Sequence, residues 1–323
     1  MEHFDHIDAS SLEEATRLFK RYRNRARLIA GGTDLLSVLK DRVLPEYPEK
    51  IINIKTIPGL DYISENGHGL RIGPMTKLSK ICASPLIKEK YFALAQAAES
   101  IATPEIRNVA TIGGNLCQEV RCWYYRYPNQ IGGAIICKRK DSHSICQAVA
   151  GDNRYHSIMD TGKCVAVCPS DIAVALSSLD ATVQVTGPLG SRLFNVVELY
   201  TTFGNSLKAG EIISEIQIPE CSGSKQKFIK FALRTPVDFA IASVASVIKF
   251  NGSLVQDVCI YLGAVAYRPA RATIAENIAR GKCIDEKIAR EAADAQVAVM
   301  RPLSRNSYKL EISRSLIKQA LLC

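Results

Sequence analysis

Apolar positions in the first two thirds of the chain alternate between helical and strand spacing. Residues 11–20 have the pattern of an amphipathic helix, with Ser10 or Ser11 as its cap and Glu13 or Glu14 near the capping-box position. Strands are predicted at 27–30, 50–54, 69–73, 181–186 and 211–218, and further helices at 35–40, 76–83, 88–101 and 171–179. This alternation predicts an α/β or α+β core.

The pattern changes near residue 219. Residues 219–227 have the composition of a linker, and three β-rich segments follow at 228–233, 240–250 and 254–264. Asn251-Gly252 is predicted to be the hairpin turn between the last two of them. Three helices, at about 270–280, 285–299 and 307–322, are expected to close the chain.

Composition describes a globular chain. Its 323 residues are 47% hydrophobic, 23% charged and 7% aromatic, enough for two or three domains. No apolar run approaches the ~18 to 20 residues that a membrane helix needs, and the first twenty residues are not an apolar secretory segment. We therefore expect a cytoplasmic protein with no membrane association.

The net charge of +9 raises the question of a nucleic-acid partner. The basic residues are scattered along the chain, and no basic stripe is interleaved with aromatic side chains. We expect no nucleic-acid partner, and an acidic cofactor or partner is the better interpretation of the charge.

Two glycine pairs, at 31–32 and 113–114, each follow a short apolar stretch and precede polar residues. Glycines at such positions let backbone N–H groups approach an anion, and a pyrophosphate suits such a cradle. Neither segment is a G-x-G-x-x-G or a P-loop, so the usual dinucleotide and nucleotide signatures are missing. The candidate cradle residues are Ala30, Gly31, Gly32, Thr33, Asp34, Thr111, Gly113, Gly114 and Asn115.

A long segment of irregular pattern runs from about 117 to 168 and holds six of the eleven cysteines, at Cys117, Cys122, Cys137, Cys146, Cys164 and Cys168. Cytosolic thiols stay reduced, so such a cluster indicates metal or redox chemistry rather than disulfides. Four thiolates can hold a cubane iron-sulfur cluster or a structural zinc. No C-x-x-C pair is present, and the wide spacings suit a cluster wrapped by a loop.

The order of AGGTDLL, PEIRNVATIGGNL, CPSDIAVAL and EIISEIQIP, with the β-plus-three-helix tail, resembles the flavoprotein (medium) subunit of the molybdenum hydroxylases over nearly the whole chain. The resemblance implies an α+β architecture: a vanillyl-alcohol-oxidase (PCMH)-type FAD-binding fold in two α/β subdomains plus a CO-dehydrogenase-flavoprotein-like C-terminal domain. The corresponding ranges are 1–57, 58–219 with an insertion at about 117–168, and 224–323.

The resemblance also assigns roles to residues. The two glycine segments match pyrophosphate loops for FAD, and Asp171 matches an acidic residue near the adenosine end. Ile213 and Lys230 match contacts near the flavin. Cys168 stands where the family often has histidine, which points to a packing role for this cysteine.

The cysteine segment resembles one branch of this family, the β subunit of 4-hydroxybenzoyl-CoA reductase and a similar aldehyde oxidoreductase subunit. The local match is G-G-N-L-C-Q-x-x-R-C followed by three more cysteines before P-S-D. The resemblance implies a [4Fe-4S] cluster. Its ligands would be Cys122, Cys137, Cys146 and Cys164, with Cys117 as the alternative to one of them.

The expected function is that of an electron-transfer subunit carrying FAD and a [4Fe-4S] cluster in a heteromeric molybdenum hydroxylase. A molybdopterin-binding large subunit, which would hold the substrate, and a [2Fe-2S] small subunit are the expected partners. Ferredoxin or a pyridine nucleotide is the candidate external partner. The substrate would be an aromatic acyl-CoA, an aldehyde or a purine. Two alternatives stay open: a stand-alone FAD-dependent oxidoreductase with a structural metal loop, and a zinc-stapled binding protein without flavin.

Overall fold

The computed structural model describes residues 1–127, 135–159 and 162–322. Its secondary structure mixes helices and sheets, which confirms the predicted α+β class. No helix in these ranges is long and apolar enough to cross a membrane.

The N-terminal part is a small parallel sheet with two helices. Its strands lie in the order β1, β3, β2, and Ile52 at the centre is paired with Ile7 on one side and Leu28 on the other. Ser11 caps the first helix by accepting a hydrogen bond from Glu14 N–H, as its sequence predicts. The elements are β1 (Asp5–Asp8), α1 (Leu12–Tyr22), β2 (Ala26–Ile29), α2 (Leu35–Lys40) and β3 (Lys50–Asn53).

The middle part contains a five-stranded antiparallel sheet in the order β4, β5, β10, β6, β7. The first strand of this part is β4 (Ile63–Asn66). The helices are, in chain order, α3 (Leu78–Ala83), α4 (Pro85–Lys90), α5 (Phe92–Glu99), α6 (Pro104–Arg107), α7 (Ile112–Leu116), α8 (Trp123–Arg126), α9 (Gln147–Ala150) and α10 (Asp171–Ser178). The remaining strands are β5 (Gly69–Ile72), β6 (Thr182–Gly187), β7 (Gly190–Asn195), β8 (Tyr200–Thr201), β9 (Gly204–Asn205) and β10 (Ile212–Pro219).

The prediction of a single helix over 88–101 is wrong, because the segment is interrupted at Tyr91, between α4 and α5. The first of these helices begins earlier than predicted, since Ser84 caps it and Pro85 occupies its first turn. Tyr91 is fully buried at the break between the two helices.

The C-terminal part is an antiparallel sheet, β11 to β14 in sequence order, covered by three helices. Asn251 and Gly252 form the predicted hairpin turn, and Gly252 has a positive φ of 60°. Residues 270 and 271 form an edge strand paired with Tyr261 and Leu262 rather than the start of a helix. The elements are β11 (Lys225–Phe231), β12 (Ala242–Asn251), β13 (Leu254–Gly263), β14 (Ala270–Arg271), α11 (Thr273–Ala279), α12 (Glu286–Ala298) and α13 (Tyr308–Leu321).

Candidate functional site

The two glycine segments lie against each other at the junction of the first two parts. A Cβ atom on Gly31 would lie 2.2 Å from the carbonyl oxygen of Val109, and one on Gly114 would lie 3.8 Å from Cβ of Ala30. Only glycine permits this approach of the two backbones at residue 31. Segments about eighty residues apart in sequence therefore form one continuous surface.

The first glycine segment presents unpaired donors. No described residue accepts a hydrogen bond from the backbone N–H of Gly31, Gly32 or Thr33, which lie between β2 and α2. Gly32 has a φ of +75°, which a residue with a side chain rarely adopts. Consecutive free N–H groups at the start of a helix suit an anion such as a pyrophosphate.

The second glycine segment is different, because its donors are used internally. Gly113 N–H donates to the carbonyl of Pro74 at 2.9 Å, and Gly114 N–H donates to Oγ1 of Thr111 at 3.2 Å. The two segments were expected to act alike, but this one offers a surface without side chains rather than free donors. Thr111 is occupied as the cap of α7, whose N-terminal residues carry the pair.

A cleft runs along both glycine segments. One cavity of about 450 Å³ is lined by Gly31, Gly32, Gly113, Gly114 and Ile213 on its walls. A second cavity of about 230 Å³ shares Thr33, Asp34, Gly114 and Gln118 with the first and continues to Asn115, Asp171 and Lys230. The total space is typical of a site for a large organic cofactor.

Asp171 and Lys230 form a buried ion pair in the second cavity, with their charged atoms 2.9 Å apart and side chains 6% and 5% exposed. Burial raises the pKa of Asp171, and the Lys230 ammonium opposes that effect. Sequence reasoning divided these two residues between the adenosine and flavin ends of FAD. They are in contact, so both lie at one end of the cleft, whereas Ile213 lines the other cavity and stays separated from Asp171 as expected.

Removing one partner of this pair should cost stability. Lys230→Met leaves the Asp171 carboxylate buried without its cation, so we expect the free energy of unfolding to fall by about 3 to 5 kcal/mol in denaturant titrations. Lys227→Met, on the same strand, is the control, because the Lys227 amine only donates to a carbonyl at the surface. An equal loss in both variants would contradict the assignment.

Asp34 has a role that its sequence does not reveal. Its carboxylate accepts hydrogen bonds from Arg126 at 2.6 Å and from Glu119 N–H at 2.8 Å, and it pairs with Arg121 at 2.8 Å. Burial lowers the pKa of Arg121 to about 10, and Asp34 opposes that shift. The Asp34 carboxylate is therefore fully paired. Its contacts connect the first glycine segment to residues on both sides of Cys122.

The four assigned cysteines come together. Cys137 and Cys164 are buried in one apolar cluster against which Cys122 packs. Burial raises the pKa of Cys122 to about 11, and Cys137 and Cys146 add to this through their proximity. Cys146 and Cys164 are neighbours, and the interaction of their thiols lowers the pKa of Cys146 and raises that of Cys164.

The two remaining cysteines of this segment have other neighbours. Cys168 is buried beside Tyr200, and Cys117 also lies near Tyr200. Cys117 lines the first cavity together with the glycine segments. Neither is therefore grouped with the four.

The arrangement is not that of a single-ion site. No three His, Cys, Asp or Glu side chains within the described ranges converge to hold one metal ion. Each thiolate of a cubane binds a different iron, so its four sulfurs stand farther apart than the ligands of one ion. The four thiols are the donor set that a [4Fe-4S] cluster would require.

A third cavity, of about 310 Å³, separates this cysteine group from the cleft. It is lined by Cys122 and His156 on one side and by Asp171 and Phe239 on the other. Arg121 crosses the boundary with its guanidinium 4.3 Å from the centre of the Phe239 ring. Burial, and the Lys309 cation behind it, lower the pKa of His156 to about 4, so the imidazole is neutral at pH 7.

Comparison with known families identifies the family of the chain. Residues 2–221 match the FAD binding domain in molybdopterin dehydrogenase, and residues 227–323 match the CO dehydrogenase flavoprotein C-terminal domain. The chain belongs to the FAD-binding subunit family of the molybdenum hydroxylases. The family and fold expected from the sequence are confirmed, and the chain is an oxidoreductase subunit.

Relatives match over nearly their whole length. The aldehyde oxidoreductase FAD-binding subunit PaoB of Escherichia coli is 31% identical, over 92% of this chain and 90% of the relative. The glyceraldehyde dehydrogenase medium chain of Sulfolobus acidocaldarius is 26% identical, over 98% and 96%. A carbon monoxide dehydrogenase structure from Hydrogenophaga pseudoflava is 27% identical with a TM-score of 0.78, covering 99% and 96%. These likenesses favour the subunit interpretation over a stand-alone oxidoreductase.

Proposed function

We propose that this chain is the electron-transfer subunit of a heteromeric molybdenum hydroxylase and that it carries both FAD and a [4Fe-4S] cluster. One observation carries the proposal: the free N–H groups of the first glycine segment and the cysteine group are joined through Asp34, Arg121 and Arg126. The segment expected to bind the cofactor and the segment expected to bind the cluster are thus one structural unit.

The cleft fits FAD. The N–H groups of Gly31, Gly32 and Thr33 would hold the pyrophosphate, and the bare surface of Gly113 and Gly114 would let it pass closely. Bound FAD accepts and donates electrons singly or in pairs, which suits a subunit linking two-electron and one-electron partners.

The two ends of the cleft differ in polarity, which orients the cofactor. We assign the adenosine to the end that holds Asp171 and Lys230, as the resemblance implies for Asp171. That end also adjoins the cavity lined by Cys122. The flavin ring would lie in the other cavity, against Ile213 and Leu28, as the resemblance implies for Ile213.

Cys122, Cys137, Cys146 and Cys164 would bind the cluster. All four approach one another within the insertion, and two of them are buried. Soft thiolate ligands select iron-sulfur clusters, and burial in an apolar shell keeps water away from the sulfurs. The same ligand set is the one implied by the resemblance of the local cysteine motif to the 4-hydroxybenzoyl-CoA reductase branch.

The partners would be a molybdopterin-binding large subunit and a [2Fe-2S] small subunit, with ferredoxin or a pyridine nucleotide as external partner. Several relatives are named as medium chains or FAD-binding subunits, which supports a heteromeric assembly. We retain the parts 1–57, 58–219 and 224–323 and a cytoplasmic location. Substrate would bind on the large subunit, so an aromatic acyl-CoA, an aldehyde or a purine stays open.

A spectrum of the anaerobically purified chain tests both cofactors. We expect flavin bands over a broad sulfur-to-iron charge-transfer absorption, with about four irons per flavin. Flavin bands without iron would contradict the cluster. Zinc without flavin would contradict the whole proposal and favour a binding protein whose loop is stabilised by a structural zinc ion.

The assembly gives a further prediction. Expressed alone, the chain should bind FAD and iron yet turn over no aldehyde, purine or aromatic acyl-CoA, because substrate chemistry would reside on the large subunit. Activity should appear when the molybdopterin-binding and [2Fe-2S] subunits are co-expressed and the complex is isolated by size-exclusion chromatography. Robust turnover by the isolated chain would contradict this prediction, as would failure to form a complex.

A further inference from the structure

A buried histidine and a buried lysine stand behind the cysteine group. His156 is 3% exposed and Lys309, on α13, is 0% exposed. Nε2 of His156 lies 3.2 Å from Sγ of Cys122, which is hydrogen-bonding distance for sulfur. The flavin-binding role assigned to the cleft uses neither residue.

The direction of this hydrogen bond follows from the groups around the ring. Nδ1 of His156 is buried, and no described residue is its partner. A thiolate bound to iron carries no proton, so Cys122 can only accept. The proton of the neutral imidazole therefore belongs on Nε2, where it has an acceptor.

Two aromatic rings and two backbone hydrogen bonds hold the ring in this orientation. Trp123 and Tyr124 pack against it with ring centres 5.6 and 6.3 Å away. The backbone carbonyl of His156 accepts hydrogen bonds from Nζ of Lys309 at 3.0 Å and from Nδ2 of Asn306 at 3.2 Å. The imidazole is thus fixed against the sulfur by packing and by the start of α13.

Lys309 is costly to bury. Its Nζ donates to the carbonyls of His156 and Ala264, and no carboxylate within the described ranges forms an ion pair with it. Burial accordingly lowers the pKa of Lys309 to about 7, so an opposite charge nearby is needed to keep the ammonium protonated at pH 7. A negatively charged cluster at Cys122 would supply an opposite charge on the far side of His156.

We propose that the imidazole of His156 donates a hydrogen bond to the Cys122 sulfur and, with the protonated form of Lys309 behind it, raises the reduction potential of the cluster. Hydrogen bonds to cluster sulfurs and nearby positive charge stabilise the more negative reduced state. His156 and Lys309 are positioning residues, since neither binds iron. The inference rests on the proposed cluster.

The test is a redox titration of the cluster, followed by electron paramagnetic resonance in the full chain. His156→Phe removes the donor and keeps a ring, whereas His156→Gln keeps a donor. We expect the midpoint potential to become more negative in His156→Phe and to stay near the wild-type value in His156→Gln. Equal potentials in His156→Phe and wild type would overturn the inference, as would an equal shift in both variants.

Lys309 is tested by Lys309→Met against Lys318→Met, the same change on the same helix at a lysine that instead pairs with Glu286. Only Lys309→Met should lower the potential. If it fails to load iron, Lys309→Gln takes its place, since an amide removes the charge but retains donors for both carbonyls. An unshifted potential overturns the role of Lys309. Iron-free wild-type protein would instead refute the proposed cluster.

Discussion

Serine at Cys122, Cys137, Cys146 or Cys164 should each remove most of the iron from the purified chain. The four thiols meet within one insertion, and the oxygen of serine is a harder and poorer ligand for iron than a thiolate. Iron per flavin measures the loss, and the electron paramagnetic resonance signal of the reduced protein should disappear with it. Flavin should largely remain, because the donors of the first glycine segment do not depend on these side chains.

The matched controls come from the same stretch of chain. Cys117→Ser and Cys168→Ser alter thiols that lie beside Tyr200 rather than among the four. Both variants should keep wild-type iron. If Cys117→Ser loses iron and one of the four variants keeps it, Cys117 would be the ligand in place of that cysteine. Unchanged iron in all four variants would contradict the cluster.

The glycine and cysteine segments were predictable because their signals are local. Residue types within five positions are enough to suggest an anion cradle, and cysteines crowded into one segment suggest a metal or a cluster. Helix caps such as Ser11 are equally local, since the cap and its donor are three residues apart. The residue types at these positions are therefore sufficient to predict the anion cradle, the cysteine cluster and the helix cap.

The contacts that connect these segments were not predictable. Asp34 and Arg126 are 92 residues apart, and Lys309 is 153 residues from His156, so no sequence period relates them. The resemblance placed Asp171 and Lys230 at opposite ends of FAD, although they are in contact. Strand β1 was missed for a different reason, because it is mostly exposed and lacks an alternating apolar pattern.

Valine at Gly32 should remove most of the bound FAD. Gly32 has a φ of +75°, and a Cβ there would lie 3.4 Å from the side chains of Ile29 and Leu36, so valine would force the backbone that carries the free N–H groups out of its conformation. Gly114→Val should act similarly, because its Cβ would press on Oγ1 of Thr111 at 3.0 Å. The measurement is flavin released on denaturation per chain, with iron as an internal reference that should be retained.

Gly252→Val separates cofactor loss from backbone strain. Gly252 has a φ of +60° with nothing within 4 Å of its would-be Cβ, so valine there meets similar strain at a hairpin turn far along the chain from the cleft residues. Its flavin content should stay at the wild-type level, although its stability falls by about 1 to 2 kcal/mol. Equal flavin in the Gly32 and Gly252 variants would mean that the first glycine pair is only a turn. Flavin lost from Gly32→Val alone would assign the free N–H groups of that segment to the pyrophosphate.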